Sequence, residues 1–389
     1  MRTYQIISGD GHLEGPLDFT PYLPEKYADA MPTMHRRDDG AWTWVGEWAG
    51  NTMTSLIGAQ VYSGLPYDEF NAKNACTYWD ADGELRPGTS PDPAQRLREQ
   101  DKDGIDAEVL YFPSAGGVMM GATAADPDAN RVAARAYTDF LADYCSIAPD
   151  RLIGTMLLSY TGIDDVVAQL EYGKERGLRA VCLQQWPSGG DGPTPDDDRF
   201  WQATQDLGLV VAPHVAWGSG RLTPVEIHVG PERTIGATNQ FTSARTSTPI
   251  AQLIYAGVFD RFPDLKVYFA ESEVSWLPSW LEYIDEFYSR WAPFHGIELS
   301  KMPSDYVRDH CRFCMISDRM GVAFRHYIGM DLIMWGSDFP HSVGTFPDSA
   351  YVLDEYFEGV PDDERRQILV ENPCKLFGLD PDHELTPTP

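Results

Sequence analysis

The sequence predicts an α/β chain closed into a (β/α)8 barrel, and three observations predict it. Eight short runs are almost continuously apolar, as parallel strands covered on both faces must be. Amphipathic helical stretches separate them, so strand and helix alternate. The count of eight argues for closure into a barrel over a doubly wound sheet. With 389 residues the chain can bury a large core, and residues 1–389 read as a single domain.

The runs, in order, are Tyr4–His12, Ala107–Pro113, Leu152–Ser159, Ala180–Trp186, Leu209–Trp217, Lys266–Glu273, Cys311–Asp318 and Leu332–Asp338. Helical spacing appears over Asp128–Ala148, Gly162–Gly177, Asp197–Gly208 and Thr248–Pro263, and again over Asp348–Gly359 and Pro361–Gly378 after the last strand. Asp and Pro-Asp starts with Gly stops punctuate these stretches, as capping chemistry requires. Two segments exceed what a minimal barrel needs. Residues 13–96 are rich in Trp, Gly and Pro, and residues 218–248 are polar with little periodicity. Each follows a strand C-terminus, so both read as lid and substrate-pocket material, the first as an insertion within the domain.

Composition narrows the function. A formal charge of −29 argues against nucleic acid or a polybasic membrane contact and reads as a well-solvated surface. No apolar stretch reaches the roughly 20 residues of a membrane span. The N-terminus runs into the first strand without a signal-peptide pattern, so a cytoplasmic protein is expected. Six cysteines are no disulfide framework at this length. Cys311 and Cys314 have no second pair to complete a zinc site and read as core thiols.

Chemistry gathers at strand C-termini. Strand 1 ends Asp10-Gly11-His12, strand 5 Pro213-His214, strand 6 Glu271-Ser272-Glu273, and strand 8 Asp338-Phe339-Pro340-His341. Residues i and i+2 of a strand share a face, so Asp10 and His12 project together into the mouth. Barrel closure brings all eight ends to one rim, placing Asp10, His12, His214 and Asp338 within reach of one divalent ion. Zn²⁺ is expected first, with Mn²⁺ a competitor because of the carboxylates. Strand 4 ends Gln184-Gln185-Trp186, with no lysine to bridge a second ion, so one metal is expected.

At these residues the chain resembles the amidohydrolase superfamily, in the amidohydrolase-2 group related to aminocarboxymuconate-semialdehyde decarboxylase. The likeness covers essentially the whole chain. It is carried by "SGDGHLEGP", His214, "FAESEVSWLPSWLEYIDE", "LIMWGSDFPHSVGTFPDS" and "DERRQILVENPCKLFGL". It implies a distorted TIM barrel with one divalent ion on Asp10, His12, His214 and Asp338, and makes Asp338 the general base. Two departures stand out. The first motif is D-x-H where many relatives have H-x-H, and strand 6 carries Glu271 where the decarboxylases have a substrate-contacting histidine.

The expected reaction is therefore hydrolysis of an amide, ester, lactone or C–C bond in a small substrate, through metal-activated water and Asp338. Non-oxidative decarboxylation of an aromatic or enoic acid is the alternative. Glu271 is a candidate ligand or proton shuttle. His341 is a candidate for binding substrate or stabilising an oxyanion. Trp186 and Trp217 suggest a flat or apolar substrate. An acid substrate would need a cation, for which Arg233, Arg245, Arg312, Arg319 and Arg325 are available. Glu14 is placed either in the metal shell or as a turn cap. A homodimer is the expected assembly.

Overall fold

The computed structural model describes residues 2–13, 17–36, 42–49, 92–112, 114–214, 227–228, 234–235, 242–341 and 344–389. Eight strands form one sheet: β1 (Ile7–His12), β2 (Ala107–Tyr111), β3 (Leu152–Met156), β4 (Ala180–Val181), β5 (Val210–Val211), β6 (Val267–Phe269), β7 (Cys311–Met315) and β8 (Ile333–Trp335). Their order in space is their order in the chain, and every pairing is parallel. Each lies inside its predicted run. Val109, Ile153, Val181, Val211, Val267, Phe313 and Ile333 are buried, which is why the runs are apolar without alternation.

Closure is made by the residues that follow the ladders. The His12 N–H donates to the Phe339 carbonyl at 2.7 Å, and the Asp338 N–H donates to the Asp10 carbonyl at 2.9 Å. The seam of the barrel therefore runs through the proposed ligands themselves.

Helices cover the outside: α1 (Pro93–Asp103), α2 (Ser114–Thr123), α3 (Pro127–Cys145), α4 (Ile163–Glu175), α5 (Asp198–Asp206), α6 (Thr242–Tyr255), α7 (Leu277–His295), α8 (Pro303–His310) and α9 (Ser349–Tyr356), with shorter turns between. The Asp126 side chain accepts the N–H groups of Asp128 and Ala129 to start α3, and Asp92 caps α1 in the same way. The stretch expected as one helix over 248–263 is two, α6 and Val258–Arg261, because Gly257 adopts φ 68° between them. The described part of the insertion packs outward: Phe19 meets Phe140 of α3 at 4.9 Å, and the Tyr27 ring packs tilted against buried Trp48. Cys311 and Cys314 are free, buried thiols in β7. No described helix is long and apolar enough to cross a membrane.

Candidate metal centre

The strand ends that build the site depart from regular geometry. β1 carries a bulge: Ser8 faces Glu108 and Gly11 faces Leu110, so Gly9 and Asp10 oppose a single residue of β2. Gly336 allows β8 to press against this bulge, since a Cβ there would stand 2.6 Å from the Asp10 Cβ and 2.8 Å from its nitrogen. Asp338, Glu271 and Glu273 all adopt left-handed backbone, with φ of 53°, 47° and 49°. Such conformations cost side-chain-bearing residues of order 1–3 kcal/mol each and persist where the surroundings dictate them.

These turns bring Asp10, His12, His214 and Asp338 together. The His12 and His214 Nε2 atoms are 3.2 Å apart. His12 Nε2 lies 3.6 Å from Asp10 Oδ1 and 3.4 Å from Asp338 Oδ1, and His214 Nε2 lies 3.5 Å from Asp10 Oδ2. Asp10, His12 and His214 form one group able to hold an ion, and His12, Asp338 and His341 a second that shares His12, each with ligand atoms within 4.8 Å of one another.

The donor set fits a divalent ion. Asp10 and Asp338 are fully buried, and among the described residues neither oxygen of Asp10 accepts a hydrogen bond. A buried carboxylate without a donor is costly unless a cation neutralises it. Donors about 2.1 Å from one tetrahedral ion stand about 3.4 Å apart, the spacing found between His12 and each of Asp10, His214 and Asp338 and between His214 and Asp10. His12 Nδ1 lies 3.4 Å from the Phe112 carbonyl, so in the Nδ1-protonated tautomer it can donate there while the Nε2 lone pair faces the centre.

The electrostatics follow the same crowding. Burial, then His341, pushes the His12 imidazole down. Burial opposes protonation of His214 as well, but Asp10, Glu271 and Asp338 outweigh it and raise His214 to about 9. For Asp338 the largest influence, burial, pushes upward, yet His341 and His12 hold it well below the usual carboxylate range. Burial and then Asp338 lift Glu271 to about 7. Glu271 Oε2 lies 3.7 Å from His214 Nδ1. Its neighbour Glu273 turns away and accepts the backbone N–H groups of Ile316 and Ser317. His341 Nδ1 lies 2.9 Å from Asp338 Oδ1, and its ring stacks on His12 with centroids 4.0 Å apart. The side chains of His341 and Glu271 are 23% and 27% exposed, so they face the opening of the site.

The remaining predicted residues fall elsewhere. Trp186 is 2% exposed and packs edge-on against Trp201 in the core. Trp217, Glu14 and Arg233 lie outside the described residues, and Arg245 stands on α6. Arg312 donates to the carbonyls of Arg308 and Cys311 at the start of β7, the far end of the barrel. Arg319 pairs with Glu355 and Arg325 with Glu364. On the same end as the centre, the loops after β2, β3 and β4 enclose a cleft of about 460 Å³ lined by Gly117, Met120, Leu158, Tyr160, Gln184 and Gln185.

Other parts of the site carried no sequence signal. The Ser8 hydroxyl donates to the Asp10 carbonyl at 2.7 Å and accepts the Ser337 N–H at 2.9 Å, stitching β1 to β8 beneath the ligands. Tyr111 is fully buried with its ring 5.0 Å from that of His214. Both could have been flagged only from their positions next to strand ends.

Known proteins are consistent with this arrangement. A family profile described as amidohydrolase matches residues 77–379. Over 304 residues the chain is 24% identical to a 2-amino-3-carboxymuconate-6-semialdehyde decarboxylase of Dictyostelium discoideum, spanning 76% of this chain and 79% of that protein. An amidohydrolase of Mycobacterium avium subsp. paratuberculosis K-10 superposes with a TM-score of 0.69 at 18% identity, over 98% of this chain and 99% of its own. A 5-carboxyvanillate decarboxylase of Novosphingobium aromaticivorans DSM 12444, complexed with manganese and 4-hydroxy-3-methoxy-5-nitrobenzoic acid, does so with a TM-score of 0.62 at 18% identity, over 97% and 96%. At such identities the two structures establish the likeness of fold.

Proposed function

The chain belongs to the amidohydrolase family, and from that premise we propose that it is a metal-dependent, non-oxidative decarboxylase of a small aromatic or enoic acid. The observation that carries the reading is that His12 stands 3.2–3.6 Å from Asp10, His214 and Asp338 at the open end of the barrel, with His341 backing Asp338. The decarboxylases among the relatives favour this reaction over the hydrolysis expected from sequence.

Asp10, His12, His214 and Asp338 would hold one divalent ion, Mn²⁺ by analogy with the manganese-containing relative, or Zn²⁺. When bound, that ion supplies Lewis acidity to a substrate carboxylate and its neighbouring hydroxyl. Asp338, ionised at rest beside His341 and His12, would relay a proton from His341 to the carbon bearing the carboxylate. The bond to the carboxyl group then breaks, its electron pair restores the unsaturated system, and CO₂ leaves. His341 Nδ1, 2.9 Å from Asp338 Oδ1 on a partly exposed side chain, would supply that proton. The cleft over Met120, Leu158 and Tyr160 has room for a substituted ring.

Hydrolysis stays as the second reading because Glu271, and not histidine, follows β6. One experiment separates the two. Mn²⁺-loaded and Zn²⁺-loaded protein is incubated in D₂O with 2-hydroxybenzoates including 5-carboxyvanillate, and with a panel of amides, esters and lactones. Decarboxylation gives CO₂ and one deuterium at the vacated carbon. Release of amine or alcohol without CO₂ replaces it with hydrolysis.

Residues 13–96 read as an insertion within a single domain; most of them, like Trp217, lie outside the described residues. A homodimer in the cytoplasm is the working form. It is supported by five free thiols, all buried, among the described residues and by an exposed aromatic stripe on α7, where Phe294 is 81% exposed.

A further inference from the structure

We infer that Arg96, locked in place by Glu108, is a positioning residue that sets the metal-binding geometry from behind the barrel seam. The inference rests on the metal-centre reading above. Arg96 sits on α1, 4% exposed, and no motif marks it. Its Nη1 donates to the His12 carbonyl at 2.8 Å, and its Nη2 reaches the Phe339 carbonyl at 3.4 Å. The first carbonyl belongs to a proposed ligand and the second to the residue after another. One planar guanidinium thus spans the two sides of the seam, directly behind the side chains that face the ion.

The orientation of that fork is fixed on three sides. Nε donates to Glu108 Oε2 at 2.8 Å, and Nη2 lies 3.3 Å from Oε1, so the pair is bidentate. Gln100 donates to the same Glu108 Oε2 at 2.8 Å. The guanidinium carbon stands 4.5 Å from the centre of the Phe339 ring.

Stability alone does not account for this pair. A buried ion pair is on average no better than apolar side chains of the same volume, because desolvation offsets the attraction. What an apolar substitute cannot do is bond two carbonyls across the seam. Gly11, between Asp10 and His12, completes the case. A Cβ there would meet Arg96 Nη2 at 2.9 Å and Glu108 Oε1 at 3.0 Å. The middle residue of the D-G-H triplet is therefore glycine because the ion pair lies flat against the backbone between two ligands. Groups that orient ligands in this way typically govern metal affinity by 10–100-fold.

The test measures Mn²⁺ dissociation constants by EPR titration, alongside thermal melts of the metal-free proteins. Arg96→Met should weaken Mn²⁺ binding about 10–100-fold, with Arg96→Lys between it and the wild type, because an ammonium cannot bridge both carbonyls. Gly11→Ala should shift affinity in the same direction without removing any charge. Arg151→Met is the control. Arg151 is equally buried but lies at the other end of the barrel, so its loss should lower the melting temperature while leaving Mn²⁺ affinity within about threefold. If Arg96→Met does not fold, Arg96→Lys and Gly11→Ala decide the matter on the same readings. Arg96 variants that bind Mn²⁺ like the wild type, or an Arg151 variant that loses affinity equally, overturn the inference alone. A wild type that binds no divalent ion overturns the metal-centre reading and the inference with it.

Discussion

The two ends of the barrel solve the same problem, burying acidic residues, in opposite ways. At the N-terminal end Asp106 accepts Arg2 Nε at 2.7 Å and the backbone N–H groups of Gln5 and Ile6 at 2.7 and 2.9 Å. Arg151, 1% exposed, donates to the Asp106 carbonyl, Asp101 and Thr388, which ties the chain's last residues to this end. At the C-terminal end Asp10 is equally buried and, among the described residues, its oxygens accept no hydrogen bond, while Asp338 is held in left-handed backbone. One end spends its polar groups on each other and gains stability. The other leaves the Asp10 carboxylate without a donor among the described residues, at a cost in stability, so that it is available to a ligand. Both ends contain a buried arginine, yet Arg151 serves the terminus and Arg96 serves the ligands.

That contrast can be broken most forcefully at Asp338. Asp338→Asn should lower kcat about 10⁴-fold, with metal content largely retained and the melting temperature of the metal-free protein no lower than wild type. Steady-state turnover with a scanning melt checks this, and retained activity would remove Asp338 as the proton-handling group. At the opposite end Arg151→Met should cost about 1–3 kcal/mol in urea unfolding, since the Asp106 carbonyl loses its buried donor. Its kcat per folded molecule should stay within about twofold, and a larger loss would show that the two ends are coupled. Gly336→Ala should cost about 1–3 kcal/mol and also weaken metal binding, because the new methyl displaces Asp10. Loss of stability with metal affinity intact would mean that the seam tolerates movement.

A further effect lies in the barrel wall. Asp103 of α1 accepts the N–H and hydroxyl of Ser349 at the start of α9, and burial lifts its carboxyl to about 8 despite those bonds. The folded state therefore keeps a proton that the unfolded chain releases near pH 4. Stability from this group is complete below that pH and declines as pH rises toward 8, by up to about 1.4 kcal/mol per pH unit. Asp103→Asn should flatten the slope in urea titrations between pH 5 and 8. An unchanged slope would assign the dependence to other groups.

Much of this molecule was legible from local pattern. A parallel strand covered on both faces must be apolar throughout, so eight such runs announce themselves, and all eight pair. The D-x-H pair and the carboxylate ending the eighth run could be read because strand alternation and barrel closure are general rules. α2 could not: "SAGGVMMGAT" holds three glycines and no helical stripe, and it is helical in its packed setting. Trp186 looked like a pocket residue by its position after a strand, yet it fills core beside Trp201.

By itself the sequence determined the architecture, the rim on which the chemistry gathers and the four side chains that meet there, because these depend on periodicity and on rules shared by every closed parallel barrel. Only the tertiary structure decided the left-handed turns of Asp338 and Glu271, the engagement of Arg312, Arg319 and Arg325 away from the mouth, and the Arg96–Glu108 clamp across the seam. Those features join atoms separated by up to 243 residues. Whether a donor meets an acceptor across such a distance is set by how the whole core packs, and no local window of sequence contains that information.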